Sequence, residues 1–130
     1  MTQVICSDDC GNSPRKAQLR DFNIAFAHNN AEAVLEQLSD DIVWTMVGDR
    51  VIRGKEEVAQ ALVEMAGGEP AAELRIHHII THGTDAAVDG LITFDRGGRF
   101  AFCDVYVYSG HAKTARIKQM TSYIRELSAE

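Results

Sequence analysis

The chain has 130 residues, 45% of them apolar and 25% charged, and 19 acidic against 13 basic side chains leave a formal charge of −6. That balance describes one globular domain able to bury roughly two-thirds of its unfolded surface, and it excludes disordered, collagen-like and fibrous classes. Basic residues come one or two at a time, with no stripe to neutralise phosphates, so neither nucleic acid nor an anionic membrane is an expected partner.

From Met1 to Cys10 there is no basic start followed by an apolar stretch, and nowhere do 18 apolar residues run together. The expectation is a soluble, cytoplasmic protein, with residues 1–12 a flexible leader and 13–130 a single domain. Three cysteines argue against a disulfide scaffold. Cys6 and Cys10 enclose Asp8 and Asp9, but a lone C-x3-C lacks the second ligand pair of a structural zinc site. A frayed terminus is the plainer reading. No metal or cofactor is expected.

Ser13-Pro14 starts a helix, and Leu19, Phe22 and Phe26 continue it at helical spacing to about residue 28. Asn30 caps a short second helix with Val34, Leu35 and Leu38 on its apolar face. Ser39-Asp40-Asp41 break it, and residues 42–47 are β-branched enough to be a strand, followed by a short extended piece at 51–53. Gly54 opens a third helix carrying Val58, Ala61, Leu62 and Met65, which Gly67-Gly68-Glu69-Pro70 stop. Four long strands then follow, over 73–82, 86–95, 99–108 and 114–125, divided at turn residues. Helices first and an antiparallel meander after is the order of an α+β domain. On the strand 99–108, Phe100, Phe102, Asp104, Tyr106 and Tyr108 share one side, while Ala101, Cys103, Val105 and Val107 share the other. Both sides are largely apolar, so one meets the helices and the other, most simply, a second copy of the chain.

The order of a capped helix, a short second helix, Leu38-Ser39-Asp40-Asp41-Ile42-Val43-Trp44, Arg53-Gly54 before a third helix and a long meander resembles the nuclear transport factor 2-like superfamily. Within it the chain is most similar to the SnoaL-like and ketosteroid isomerase-like branches. The resemblance implies a strongly curved antiparallel sheet wrapped around the N-terminal helices as a cone with a deep apolar pocket, dimerising through the outer sheet face. In the isomerase pattern a tyrosine on the first helix and an aspartic acid on a late strand donate hydrogen bonds, and an aspartate on the first strand moves the proton. Phe22 stands at the tyrosine position, Met46 at the general-base position, and Asp104 matches the late aspartic acid. A ketosteroid isomerase of the known mechanism is therefore not expected.

Asp104, between Phe102 and Tyr106, is the principal catalytic candidate, since a carboxyl on a strand with two apolar faces loses hydration and is pushed toward its neutral form. The competing reading is a structural carboxyl that pairs with a buried arginine, histidine or tyrosine and merely holds the sheet together. His77 and His78 are adjacent and so point to opposite faces; His78, if inward, would pair with Asp104 as an acid/base couple. Trp44 and Met46 share a face that the resemblance turns into the pocket, and its register sends Met120 and Ser122 inward and Tyr123 outward; a one-residue slip would reverse that. With Phe22, Phe102 and Tyr106 these complete the expected ligand-binding set. Two functions stay open: cofactor-free isomerisation, cyclisation or dehydration of a small hydrophobic molecule through Asp104, or non-catalytic ligand binding or dimerisation.

Overall fold

The computed structural model describes residues 2–7, 10–65 and 69–128. Ser13 caps helix α1 (Pro14–Ala27), its hydroxyl accepting from the Lys16 N–H at 3.3 Å, and Pro14 occupies the first turn, where its missing N–H is no loss. Asn30 caps α2 (Ala31–Glu36) in the same way through the Ala33 N–H. Helix α3 (Gly54–Glu64) carries Glu56 and Glu57 in its first turn, favourable against the helix dipole, and buries Val58, Ala61 and Leu62. Asp8, Asp9, Gly67 and Gly68, which entered the sequence reading, lie outside the described residues.

The strands are β1 (Gln3–Ile5), β2 (Leu38–Met46), β3 (Arg50–Arg53), β4 (Glu73–His82), β5 (Asp85–Phe94), β6 (Gly98–Tyr108) and β7 (Ile117–Leu127). They form one sheet in the order β1-β4-β5-β6-β7-β2-β3. Strands β4 to β7 are the expected antiparallel meander. The sheet as a whole is mixed, not antiparallel, because β1 joins β4 and β2 joins β7 in parallel. Neither pair is linked by a hairpin, so no turn imposes the antiparallel direction. Strand β2 begins at Leu38, earlier than expected, because Ser39-Asp40-Asp41 are carried through a register shift instead of ending the pairing.

The leader also differs from the expected frayed end. Gln3–Ile5 pair with Glu73, Leu74 and Arg75 of β4, and a Cys6–Cys10 disulfide closes the turn between β1 and α1. That bond takes both thiols out of the set of metal ligands considered for them. None of the described helices is long and apolar enough to cross a membrane.

One face of the sheet is covered by helices. Leu19 and Phe22 of α1 and Val58 and Leu62 of α3 are buried there with Trp44, Leu74, Val88, Tyr106 and Met120. The expected alternation of β6 holds: Tyr106 and Tyr108 are buried, while Val105 on the opposite side is 39% exposed. Strand β4 departs from simple alternation. Its register shifts between Ile76 and His78, leaving His77 as an extra, bulged residue opposite β5. Gly90 faces this point, where any Cβ would collide with the Arg75 carbonyl.

Candidate functional site

Between α1, α3 and the covered sheet face lies a cavity of about 370 Å³, within the range of small-molecule sites. All five phenylalanines of the chain (Phe22, Phe26, Phe94, Phe100 and Phe102) and its one tryptophan, Trp44, line it. The inner end is formed by the buried Phe22, Asn23, Trp44, Met120 and Ser122 around Asp104. At the other end Phe94, Gly97 and Phe100 surround the β5–β6 turn, with Phe94 and Phe100 edge to face at 6.2 Å.

Asp104 is held from two directions. On one side Asn23 Nδ2 donates to the Leu19 carbonyl at 2.9 Å and to Tyr106 Oη at 3.2 Å, and the Tyr106 hydroxyl donates to Asp104 Oδ2 at 3.3 Å. On the other, Ser122 is the cross-strand partner of Asp104, and its hydroxyl favours the carboxylate. Trp44 Nε1 in turn donates to Ser122 Oγ at 2.8 Å. An indole N–H only donates, so Ser122 accepts from Trp44 and turns its own proton to Asp104. Both hydroxyls therefore arrive as donors.

The charge state of Asp104 follows from these opposed effects. Burial raises its pKa from 3.8 to about 6, and the Ser122 and Tyr106 hydroxyls, which favour the carboxylate, keep it from rising further. At neutral pH the group is a partly buried carboxylate, two-thirds of the way from an ordinary aspartate to a neutral-pH base. Tyr106 is pushed well above the ordinary phenol by burial and by Asp104, so it stays a neutral donor. Phe22 packs edge to face on Tyr106 at 5.9 Å and fixes the ring that carries this hydroxyl.

Of the residues singled out in the sequence, Asp104, Phe22, Trp44, Phe102, Met120 and Ser122 all line the cavity. Tyr123 is exposed, in the outward register expected for it. Met46 is buried beside Ser122 in the sheet but does not reach the cavity. Tyr106 also stands behind the wall and acts through Asp104. His78 is the clear misplacement: the bulge at His77 breaks the alternation, both histidines are exposed, and His78 Nδ1 bonds Asp89 at 2.8 Å on the uncovered face. No acid/base couple with Asp104 forms. Asn23 was overlooked; its signal was an amide set between Phe22 and Phe26 in an apolar helix stripe. Phe94 and Phe100, flanking the Gly97-Gly98 turn, were also overlooked as lining residues.

Comparison with solved structures finds the same fold in proteins of diverse description. A nuclear transport factor 2-like protein of unknown function from Cytophaga hutchinsonii is 23% identical, covering 84% of this chain and 97% of its own, with a TM-score of 0.66. A candidate ketosteroid isomerase from Kribbella flavida is 15% identical over 90% of this chain and 82% of its own, at a TM-score of 0.69. An LEH-like epoxide hydrolase from M. tuberculosis is 24% identical over 84% of this chain and 80% of its own, at 0.66. At these identities the likeness is one of fold. No curated protein sequence matches the chain. The SnoaL-like domain model matches residues 19–117, about three-quarters of the chain and the whole span from Leu19 on α1 to the start of β7, and the chain, whose fold is that of the nuclear transport factor 2-like proteins, belongs to that SnoaL-like family.

Proposed function

We propose that the protein binds a small hydrophobic molecule in this cavity, with the sheet closed as a cone around α1, and moves a proton on it without a cofactor. Asp104 is the catalytic residue: as carboxylate it takes a proton, and as carboxylic acid it returns one, in the manner of an isomerase, cyclase or dehydratase. One observation carries this reading. The single carboxyl at the inner end of a largely apolar cavity faces the Tyr106 and Ser122 hydroxyls and sits with a pKa of about 6, near working pH. The isomerase and hydrolase descriptions attached to proteins of the same fold are compatible with such chemistry.

A second reading, a binding protein without turnover, is favoured by a different observation: His78 lies on the other face, so among the described residues no histidine lines the cavity to partner Asp104. Deuterium uptake separates the two. Small hydrophobic carbonyl and imine compounds are incubated with the protein in D2O, and C–H exchange is read by NMR. The catalytic reading expects exchange that rises with pH through about 6 and vanishes in Asp104→Asn. Exchange no faster with the wild type than with Asp104→Asn leaves the binding reading.

The same proposal makes a second copy of the chain the partner of the uncovered sheet face. Ile80, Ala87, Val105, Thr121, Thr45 and Val51 are successive cross-strand neighbours, an uncharged row crossing six strands. Ile80, Val105 and Val51 within it are exposed. Uncharged rows of this length on an open face fit self-association.

A further inference from the structure

The cavity contains a base but little to hold a negative charge on a ligand. Its described lining includes two acids, Asp104 and Glu69, and no lysine, arginine or histidine. At the inner end the protein's own donors are already committed: Asn23 Nδ2 to Leu19 and Tyr106, Trp44 Nε1 to Ser122, and the Ser122 and Tyr106 hydroxyls to Asp104. Taking a proton from a neutral ketone would leave an enolate oxygen there with no cation and, apart from the carboxylic acid just formed on Asp104, no uncommitted donor. The walls offer the opposite electrostatics. Six aromatic rings present π faces or edges to the cavity, and ring faces attract cations.

We infer that the ligand of this cavity is a small hydrophobic organic cation, an ammonium or iminium compound, whose charge is met by Asp104 and by the aromatic walls. The inference rests on the pocket reading above and names the chemical class that the pocket takes. It also gives the proton transfer a consistent charge balance. When an iminium ion loses an α proton to Asp104, the C–H pair becomes a C=C bond, the C=N π pair returns to nitrogen, and the carboxylate becomes a carboxylic acid. One positive and one negative charge disappear together, so neither the ligand nor Asp104 is left charged at the inner end. The formal charge of −6 favours the approach of such ligands from solution.

The test uses a pair of probes of the same shape that differ in charge, benzyltrimethylammonium and its carbon analogue neopentylbenzene. Binding to the full-length protein is read by the fluorescence of Trp44, the one tryptophan, which lines the site. Salt at about 0.15 M screens attraction to the outer surface but not within the cavity. The expected result is that the ammonium binds at least about ten-fold more tightly than the neutral probe, and that Asp104→Asn removes this preference while still binding the neutral probe. If the neutral probe binds the wild type as well as the ammonium does, the cation assignment is overturned and the pocket reading stands. If neither probe perturbs Trp44, both fall. The wild-type comparison decides the question even if Asp104→Asn does not fold.

Discussion

Replacing Asp104 by asparagine should make the protein more stable at alkaline pH. The carboxyl titrates at about 6 in the fold against 3.8 as an ordinary aspartate, because burial penalises its charged form more than the Ser122 and Tyr106 hydroxyls compensate. The sign is the reverse of a salt-bridged aspartate. Between those two values the native state holds the proton more tightly than the unfolded chain, so stability is greatest below the lower value and falls as pH rises through the upper one. A shift of about two units corresponds to roughly 3 kcal/mol at pH 8. Asparagine has the same shape as the protonated acid and no charge to desolvate. Both neighbouring hydroxyls can reorient to serve its amide, so the variant should recover most of that energy. With about 2.1 cal/mol/K of unfolding entropy per residue, the gain corresponds to a midpoint about 10 °C higher. Urea denaturation of both proteins at pH 8 and pH 4 measures it, and at pH 4 the difference should shrink to about half a kcal/mol. A variant no more stable than the wild type at pH 8, or one whose advantage is unchanged at pH 4, would refute the desolvated carboxylate at the centre of this account.

Three further outcomes are expected. Tyr106→Phe removes one donor to the carboxylate and should raise the Asp104 pKa by about one unit in a carboxyl-carbon NMR titration, since a hydrogen bond to a charged group contributes about 1.5 kcal/mol or more; an unchanged or lowered value would mean that the hydroxyl does not serve Asp104. His78→Ala breaks only an exposed contact with Asp89, so the Asp104 titration should not move and stability should change by less than about 1 kcal/mol. Sedimentation should give a dimer for the wild type and a monomer for Val105→Lys, which places a charge in the middle of the uncharged row; a wild-type monomer at every concentration would remove the proposed interface.

What local chemistry dictates was readable in advance. Ser13 and Asn30 cap their helices, turn residues divide the meander, and the period of two sets Phe102 with Asp104 and Met120 with Ser122 on faces that the family resemblance turns inward. What depends on partners distant in sequence was not. Asn23 is an inconspicuous amide until it meets Tyr106, 83 positions away. Parallel pairing of β1 and β2 leaves no turn signature. The bulge at His77 inserts one residue without any local marker of its own, and every inference that assumed strict alternation through His77 and His78 failed there. The one hint lay on the neighbouring strand, where Gly90 interrupts a run of larger residues.

That bulge also bears on how the protein keeps from polymerising. The strands at the two margins of the sheet are short, three residues in β1 and four in β3, whereas the long strands β5, β6 and β7 are interior. Strand β4 would otherwise offer a ten-residue template to another chain, but β1 occupies Glu73 to Arg75 and the bulge interrupts the ladder just beyond. Only the stretch from His78 to His82 continues in register, and it carries a histidine at each end. A sheet with apolar surface on both faces thus has no long, flat border on which fibrils could grow. Truncating the chain before Cys6 would lengthen that border by three residues and should increase aggregation, read as light scattering against the full-length chain.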